Sequence, residues 1–332
     1  MRDLVSILIP AYNSERWISE AIESALAQTW PKKEIIIVDD GSSDKTFSVA
    51  HRYSSKILKV VTQKNCGASS ARNMAFSLCQ GDYIQWLDAD DLLAPHKIET
   101  QLKYSGGDRN DRVLYSSAFG KFFYDHRIAR YAPNSLWQNL EPVEWLLKKL
   151  GENVWFFPAA WIVSREFTEL AGLWDESLSL DDDGEYFCRL VSLSHSVKFV
   201  EEAKSYYRRS NADSLSKKTS AKACKSLFRS IILCIDYLRS LEDSERTKAA
   251  CLNYLHVWLP YFYPEKEDIL RQISELAREL GGGLRPPTLG WKYFVVEKLF
   301  GYKKAKKAQD IIRKYKFALV KNMERMLCIL KQ

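Results

Sequence analysis

Residues 83–91 read Tyr83-Ile84-Gln85-Trp86-Leu87-Asp88-Ala89-Asp90-Asp91, an apolar run that stops at three carboxylates. A run of this length, led in by Gly81-Asp82 and closed by acids, predicts a buried strand that ends at a sheet edge. Carboxylates at i and i+2 past a strand can share one hard cation, Mg²⁺ or Mn²⁺, which proteins usually hold with one or two carboxylates plus substrate phosphates. The alternative is a solvated acidic turn that caps a helix beginning near Pro95.

Three further polar turns precede this run along the chain. Residues 5–13 are an apolar strand pattern that ends in turn residues, and residues 15–27 then follow helical spacing. Residues 34–38 lack polar alternation, which indicates a strand buried on both faces, and the acidic, Gly/Ser-rich turn 39–44 follows. Residues 67–73 open another helix. This alternation predicts a doubly wound α/β sheet, in which ligands bind where the strands end and these turns gather.

Five motifs occur in an order and at a spacing that are typical of one known family. They are Pro-Ala-Tyr-Asn (10–13), Val-Asp-Asp-Gly-Ser (38–42), Gly-x-x-x-Ala-Arg-Asn (67–73), Leu-Asp-Ala-Asp-Asp (87–91) and Asp182-Asp183. With them, the first part of the chain resembles a family 2 inverting glycosyltransferase. The resemblance implies the GT-A fold, a Rossmann-like, mostly parallel sheet flanked by helices, and a nucleotide-diphosphate sugar donor. It says little about the acceptor.

The resemblance also implies roles for the first three motifs in binding the nucleotide. Pro10 and Tyr12 would line the base site, with the Tyr12 ring stacked on the base. Asp40 would accept a hydrogen bond from a uracil-like imide N–H, and Arg72 would neutralise the diphosphate or touch the base. The structural alternative for Arg72 is an ion pair with Asp40, which does not exclude the functional role.

The fourth motif is expected to hold the cofactor, Mn²⁺ or Mg²⁺. Negative charge develops on the phosphate oxygens as a nucleoside diphosphate leaves, and a divalent Lewis acid stabilises that charge. We expect Asp90 to be the first ligand of the cation, with Asp88 assisting it or reaching the ribose.

The fifth motif is expected to supply the general base that an inverting transfer needs. Asp183 matches the aspartate of the family's Glu-Asp pair, and Asp182 is the alternative because the run Asp181-Asp182-Asp183 allows a shift of one residue. Repulsion within such a run should raise at least one pKa. The structural alternative is three acids favoured by a helix dipole. Trp174, just upstream, is the aromatic residue of 107–180 that we expect to contact the acceptor.

One segment departs from the family's pattern. Where the family often shows Tyr-Arg, a histidine and then Ser-x-Ser, this chain has Asn211 at the histidine's position. Any diphosphate or metal contact assigned to that histidine is therefore in doubt. Arg208 or Arg209 could still hold the diphosphate.

Composition sets the outer bounds of these expectations. The chain has 332 residues, of which 46% are hydrophobic and 13% aromatic, and this composition argues against disorder. Its seven cysteines are odd in number, scattered and without C-x-x-C pairing, which fits reduced thiols in a cytosolic protein. No segment approaches the ~20 apolar residues that a transmembrane helix needs. We therefore expect a cytoplasmic protein, either soluble or peripheral on the cytoplasmic face of a membrane.

The net charge and the sequence pattern both change near residue 216. Residues 1–216, the expected catalytic domain, carry 25 Lys/Arg and 30 Asp/Glu, with a donor half over 1–106 and an acceptor half over 107–216. Residues 217–332 carry 24 Lys/Arg and 12 Asp/Glu. Their spacing predicts helices at roughly 218–241, 244–259, 266–280 and 303–330.

The final stretch, 303–332, holds ten basic and two acidic residues. As a helix it has an apolar stripe of Ala308, Ile311, Ile312, Tyr315, Leu319, Met323, Met326 and Leu330. A basic amphipathic helix of this kind can lie on an anionic membrane surface. The alternative is a helix that packs its stripe into the core and leaves a solvated basic back. Nucleic acid is not expected as a partner, because no recognised binding module is present.

Other function classes fit the motifs less well. A sugar nucleotidyltransferase can share the fold, but its glycine-rich N-terminal signature with an early lysine is missing. A dinucleotide dehydrogenase needs G-x-G-x-x-G after the first strand, where this chain has Pro10-Ala11-Tyr12-Asn13. A catalytically inactive binding protein on the same fold is the non-enzyme alternative. The acceptor is expected to be a carbohydrate or a lipid-linked molecule, and the sequence specifies neither the sugar nor the linkage.

Overall fold

The computed structural model describes residues 3–106, 112–209 and 220–330. Its strands are β1 (Val5–Ala11), β2 (Lys33–Asp39), β3 (Leu58–Thr62), β4 (Tyr83–Trp86), β5 (Leu92–Leu93), β6 (Val113–Phe122), β7 (Arg130–Tyr131), β8 (Val163–Ser164) and β9 (Ser196–Arg208). Its α-helices are α1 (Ile18–Leu26), α2 (Thr46–His51), α3 (Ala68–Leu78), α4 (Lys97–Ser105), α5 (Pro142–Glu152), α6 (Arg165–Ala171), α7 (Asp182–Leu193), α8 (Ala221–Leu241), α9 (Glu245–Phe262), α10 (Glu267–Glu279), α11 (Phe294–Phe300) and α12 (Tyr302–Leu330). Asn211 and the expected boundary near residue 216 lie outside the described residues.

The first sheet is the predicted one, with β1 at its centre. Its order is β3-β2-β1-β4-β8, and the pairs among β1 to β4 are all parallel, while β8 joins the edge antiparallel. Every residue of β1 is buried, as a strand covered on both faces requires. The α/β fold with a mostly parallel sheet flanked by helices is thereby confirmed.

The parallel register brings the predicted polar turns to one edge of the sheet. Ala11 pairs with Asp39, and Leu8 pairs with Trp86, so β1, β2 and β4 all end on the same side. The turns that follow these strands carry Tyr12, Asp40 and the run 88–91. This edge is therefore where a ligand of an open parallel sheet is expected to bind.

A second, four-stranded sheet was not predicted, and it completes the same edge. Its order is β5-β9-β6-β7, with β6 and β9 parallel and β5 antiparallel to β9. Leu92 pairs with Tyr206, so the two residues of β5 tie the end of the acidic run to β9. This pairing brings the end of β9 against Asp90 and Asp91.

The four predicted C-terminal helices are present as α8, α9, α10 and α12, and α11 is an additional one. Helix α8 packs on α7, and α9 packs on α5, so the apolar cluster of the sheet runs without a break into these helices. The buried face of α8 includes Leu227, Ile231 and Leu238. Among the residues described, no helix combines the length and the apolar character needed to cross a membrane.

Candidate active site

The acidic run after β4 alternates between buried and partly exposed side chains. Leu87 and Ala89 are buried, so the carboxylates of Asp88 and Asp90, both only partly buried, point the other way. Asp91 is 1% exposed, and its Oδ1 accepts a hydrogen bond from the Arg208 backbone N–H at 2.8 Å. The pattern leaves two carboxylates at the sheet edge and uses the third to anchor β9.

Arg72, on the first turns of α3, joins two acidic groups that are far apart in the sequence. One of its guanidinium nitrogens donates to Asp88 Oδ1 at 2.8 Å and the other to Asp182 Oδ2 at 2.7 Å. Burial alone would lower the pKa of this guanidinium, but the charges of Asp88 and Asp182 outweigh burial and raise that pKa. The alternative that Arg72 pairs with Asp40 is wrong, because the guanidinium pairs with Asp88 and Asp182 instead.

Asp40 instead fixes the start of the helix that carries Arg72. It is 3% exposed, and its two oxygens accept hydrogen bonds from Gln63 Nε2 at 2.7 Å, Cys66 N at 2.9 Å and Gly67 N at 2.8 Å. Gly67 has a φ of 101°, a conformation that glycine adopts without strain. The negative carboxylate at a helix N-terminus also complements the helix dipole.

The turn after β1 leaves an aromatic ring open to solvent. Pro10 is buried within β1 opposite Val38, and it directs the chain into the turn at Tyr12, whose side chain is 50% exposed. Asn13 holds this turn to the next one, because its N–H donates to Ser42 Oγ at 2.9 Å. A fixed backbone with a free ring is suited to stacking on a planar ligand.

The three aspartates before α7 have three different surroundings. Asp181 has a φ of 61°, and its Oδ2 accepts from Ser230 Oγ at 2.7 Å. Asp182 accepts from Arg72 and, at 3.3 Å, from Ser69 Oγ. Within the described part of the chain, Asp183 Oδ1 accepts a hydrogen bond from the neighbouring backbone N–H of residue 184 at 3.0 Å.

These surroundings give the carboxyl of Asp183 a pKa that suits a base. Burial raises the pKa of its carboxyl, and the charges of Asp182 and Asp181 raise it further, to about 7, against the opposing effect of Arg72. A general base works best when its pKa lies near the operating pH. Since the Asp182 carboxylate is already engaged by Arg72, these surroundings favour Asp183 over Asp182.

Two serines of α8, which no sequence motif identified, support the loop before α7. Ser226 Oγ accepts hydrogen bonds from the N–H groups of Ser179 and Leu180, at 2.7 and 2.9 Å, and Ser230 Oγ donates to Asp181. Both serines are buried. The two serines are four residues apart on an apolar helix face, and this spacing could have predicted that their hydroxyls bind a buried polar partner.

Gly184 allows the same loop to close tightly. A Cβ at this position would overlap the carboxyl group of Asp181, whose side chain folds back over the first turn of α7. Any larger residue would therefore displace Asp181 from Ser230.

Two residues at the end of β9 face the acidic run. Arg208 is 1% exposed, and its side chain donates to the Asp90 carbonyl at 2.8 Å and to Glu20 at 2.7 Å. Burial raises the pKa of the Tyr207 hydroxyl, and the nearby carboxylates, Asp91 first, raise it further. Tyr207, which no sequence motif identified, thus lies close to the acidic run.

Trp174 occupies a different place from the one expected for it. Its side chain is 3% exposed, its ring stacks on Tyr186 with centroids 4.0 Å apart, and the Arg72 guanidinium carbon lies 4.2 Å from its centroid. Asn73 holds its backbone through two hydrogen bonds of 2.9 Å. A ring this deeply buried offers no face to a sugar, so Trp174 belongs to the core and supports Arg72 rather than contacting the acceptor.

The polar turns and the strands that carry them match a known family model. That model, glycosyl transferase family 2, matches residues 6–165. These residues belong to glycosyl transferase family 2. The match ends before Asp182 and Asp183, so the loop that carries them lies beyond it.

Relatives of this transferase region extend the comparison. An uncharacterised glycosyltransferase of Rickettsia typhi is 36% identical over 206 residues, which are 60% of this chain and 62% of that protein. Chondroitin synthase of Escherichia coli is 46% identical over 116 residues, or 34% of this chain and 17% of the synthase. The chain therefore spans less than two thirds of the length of either relative.

A solved structure shares the fold over most of the chain. TarS 1-349 of S. aureus, crystallised in complex with UDP-GlcNAc, superposes with a TM-score of 0.66 at 16% identity, covering 83% of this chain and 80% of TarS 1-349. The likeness shows a common GT-A fold, including helices beyond the region that the family model matches.

Two carboxylates of the acidic run, Asp88 and Asp90, could hold a divalent cation. Burial raises the pKa of Asp91 well above its ordinary value, and the charges of Asp90 and Asp88 add to this effect, so negative charge is concentrated here. Within the described part of the chain, no group of three or more His, Cys, Asp or Glu side chains is arranged to hold a metal. Two carboxylates completed by phosphate oxygens are, however, a common way to hold Mg²⁺, and Asp88 and Asp90 fit that donor set.

The different surroundings of Asp182 and Asp183 predict opposite effects of two equivalent substitutions on stability. Asp182→Asn removes one of two charges that neutralise buried Arg72, and breaking a buried pair typically destabilises by ~3–5 kcal/mol. Because Asp88 remains, we expect about half of that loss. Asp183→Asn should keep or raise the melting temperature above pH 7, where the carboxylate of the wild type is ionised in an unfavourable place.

Thermal melts between pH 5 and pH 9 test this pair. The advantage of Asp183→Asn over the wild type should shrink as the pH falls below about 7, because the wild-type carboxyl, whose folded pKa is raised, then takes up its proton. A larger loss of stability in Asp183→Asn than in Asp182→Asn would contradict the assignment.

Proposed function

We propose that the chain is a metal-dependent, inverting glycosyltransferase that moves a sugar from a UDP-sugar to a hydroxyl acceptor. The observation that carries this proposal is the ion-pair bridge from Asp88 through Arg72 to Asp182, with 2.8 and 2.7 Å contacts. The bridge joins Asp88 of the acidic run to Asp182 in the loop before α7. Family membership of residues 6–165 supports the same chemistry.

The donor nucleotide would bind across the turns after β1 and β2. The exposed ring of Tyr12 would stack on the base, and Asp40 would accept from its imide N–H with the lone pairs that the 63–67 loop does not use. The choice of uridine is supported by TarS, whose structures were solved with UDP and UDP-GlcNAc. Pro10 would serve the site by fixing the turn that holds Tyr12.

The departing diphosphate needs compensation of its negative charge. A divalent cation bound by Asp90 and Asp88 would supply Lewis-acid stabilisation of the departing diphosphate. Arg72 adds a fixed positive charge beside Asp88, which costs no reorganisation during the reaction. Arg208 is engaged by Glu20 and the Asp90 carbonyl, so we assign it to positioning the acidic run rather than to binding phosphate.

Asp183 would remove the proton from the acceptor hydroxyl as that oxygen attacks the anomeric carbon. The C–O bond to the acceptor forms while the bond to the diphosphate breaks, and the proton passes to the Asp183 carboxylate. One displacement on the face opposite the leaving group inverts the anomeric centre. The raised pKa of Asp183 lets it accept the proton near neutral pH.

The acceptor would lie against aromatic residues close to the acidic run. The rings of Trp155 and Tyr207 are 5.2 Å apart, and Lys121 Nζ lies 4.6 Å from the Trp155 centroid. Aromatic walls suit the apolar faces of sugar rings. A polysaccharide, a cell-envelope glycan or a glycolipid would fit this surface, and we propose Trp155 and Tyr207 in the place first expected for Trp174.

Asp90→Ala tests the cation site. Turnover of UDP-sugar should fall by ~10²–10³-fold, since the removal of one electrostatic stabiliser typically has this effect. Asp268→Ala, at an exposed position of α10, is the matched control and should keep full activity. Full activity of the wild type in EDTA, or of Asp90→Ala, would remove the metal from the proposal.

Tyr12→Ala tests the base site by calorimetric titration with UDP. Loss of one base–aromatic stack is expected to weaken binding by roughly 10-fold. Tyr104→Ala is a matched control, because both tyrosines are 50% exposed. Unchanged UDP affinity in Tyr12→Ala would exclude this ring from the site, and equal or tighter binding of GDP by the wild type would overturn the uridine preference.

Asp183→Asn tests the base and the stereochemistry together. It should bind UDP normally and lose ~10²–10⁴-fold in transfer, since it can no longer accept a proton. The wild-type rate should fall as the pH is lowered through about 7. If Asp182→Asn is inactive and Asp183→Asn works, the base is Asp182; product of retained configuration by NMR would reject the single displacement.

The same assay separates an enzyme from a binding protein. A wild type that binds UDP-sugar but neither hydrolyses nor transfers the sugar, with a panel of carbohydrate and lipid-linked acceptors, would be a GT-A-fold binding protein.

A further inference from the structure

The last two helices expose large apolar side chains on the side that faces away from the rest of the chain. We call this surface the outer face. Its members are 55–82% exposed and include Trp291 and Leu299 around α11 and Tyr315, Leu319, Met323 and Met326 along α12. An exposed apolar surface of this kind indicates a contact site for another protein or for a membrane.

The opposite side of α12 is attached to the catalytic region, and this attachment sets the direction of the outer face. Phe317 contacts the ring of Phe123 with centroids 5.1 Å apart, and Glu324 Oε1 accepts from the N–H groups of Phe123 and Tyr124 at 2.7 and 2.9 Å. Phe317 and Glu324 are seven residues apart and share one helix face. The alternative in which α12 packs its apolar stripe into the core is therefore wrong for Tyr315 and its exposed neighbours.

Positive charge borders the outer face. Residues 291–330 contain 11 Lys and Arg but only three Asp and Glu. On a helical projection Lys307, Lys314 and Arg325 lie along one flank of the apolar stripe, and Lys316 lies on the other. All four side chains are exposed.

This combination identifies the kind of partner. An apolar stripe with basic flanks matches a surface that is apolar inside and negatively charged outside, as an anionic bilayer is. A second copy of this chain would bring the same excess of positive charge to the contact and would be repelled. Charge complementarity therefore favours lipid over self-association.

We propose that the outer face of α11 and α12 lies on an anionic membrane surface, with its apolar side chains at the boundary between headgroups and acyl chains. The attachment point of α12 is close to the active site in the fold. Arg209 N donates to the Phe122 carbonyl at 2.7 Å, and the adjacent Arg208 contacts Asp90. Docking would thus bring the site near the bilayer, where, on the proposed function, a lipid-linked acceptor would be presented.

Sedimentation with vesicles tests the proposal without any measurement of activity. The full-length protein should sediment with vesicles of phosphatidylcholine and phosphatidylserine, and much less with phosphatidylcholine alone. Because each basic residue near an anionic surface contributes to attraction, Lys307→Gln/Lys314→Gln/Arg325→Gln should weaken binding on the order of 100-fold. Leu319→Glu/Met323→Glu should abolish it, since both positions are exposed and the substitutions leave the attached side of α12 intact.

The matched control removes the same number of charges elsewhere. Arg52→Gln/Lys56→Gln/Lys59→Gln lies at exposed positions around β3, the other edge of the first sheet, and should bind vesicles like the wild type. Raising the salt concentration to about 1 M shortens the screening length to about 3 Å and should reduce binding of the wild type. The circular-dichroism spectrum and the melting temperature serve as the check that each variant is folded.

Two outcomes would overturn the proposal. One is equal recovery of the wild type and the Leu319→Glu/Met323→Glu variant with anionic vesicles. The other is the absence of vesicle binding together with a dimer, by light scattering, that the same variant dissociates; this result would assign the outer face to a second copy. Because vesicle binding and sugar transfer are measured separately, failure of one leaves the other standing.

Discussion

The charge of Arg72 determines how the rest of the site is arranged. A buried guanidinium must be neutralised where it stands, and Asp88 and Asp182 do so from two loops that are far apart in the sequence. Removal of one partner of a buried ion pair costs about 3–5 kcal/mol, so the bridge constrains both loops strongly. The Trp174 ring packs against the Arg72 guanidinium, and Asn73 holds the backbone of Trp174 in place. The consequence is that the acidic run and the loop before α7 are positioned by one shared counter-charge.

The same bridge explains why three consecutive aspartates can differ in chemistry. Asp182 is paired with Arg72 and Asp181 with Ser230, whereas Asp183 accepts a bond from the adjacent backbone N–H of residue 184. The charges of Asp181 and Asp182, although each has its own partner, still raise the pKa of the Asp183 carboxyl. A run of identical residues is therefore resolved by tertiary contacts into an anchor, a counter-ion and a carboxyl group with a raised pKa.

The sequence predicted those features that depend on local pattern. The strands of the first sheet, α8 to α10 and the stripe of α12 follow from apolar periodicity, and the motifs identified Tyr12, Asp40, Arg72 and the acids. Features set by distant partners were not predictable. The second sheet depends on a two-residue strand, the Arg72–Asp182 contact spans 110 residues, and Trp174 is buried by α7. Periodicity gave the stripe of α12 but not which side of that helix attaches to the fold.

The two serine hydroxyls of α8 indicate how far along the chain the folded unit around Asp181 must extend. Ser226 and Ser230 hold the loop of Asp181 from a helix that begins more than fifty residues after the family match stops. A fragment cut at residue 165 would retain the polar turns after β1, β2 and β4 and lose both the loop before α7 and the helix that supports it. Even a fragment that ended with α7 would leave Asp181 without its hydroxyl partner and an apolar helix face uncovered. The smallest piece of the chain that can fold with its chemistry intact therefore extends into α8 and the helices packed on it.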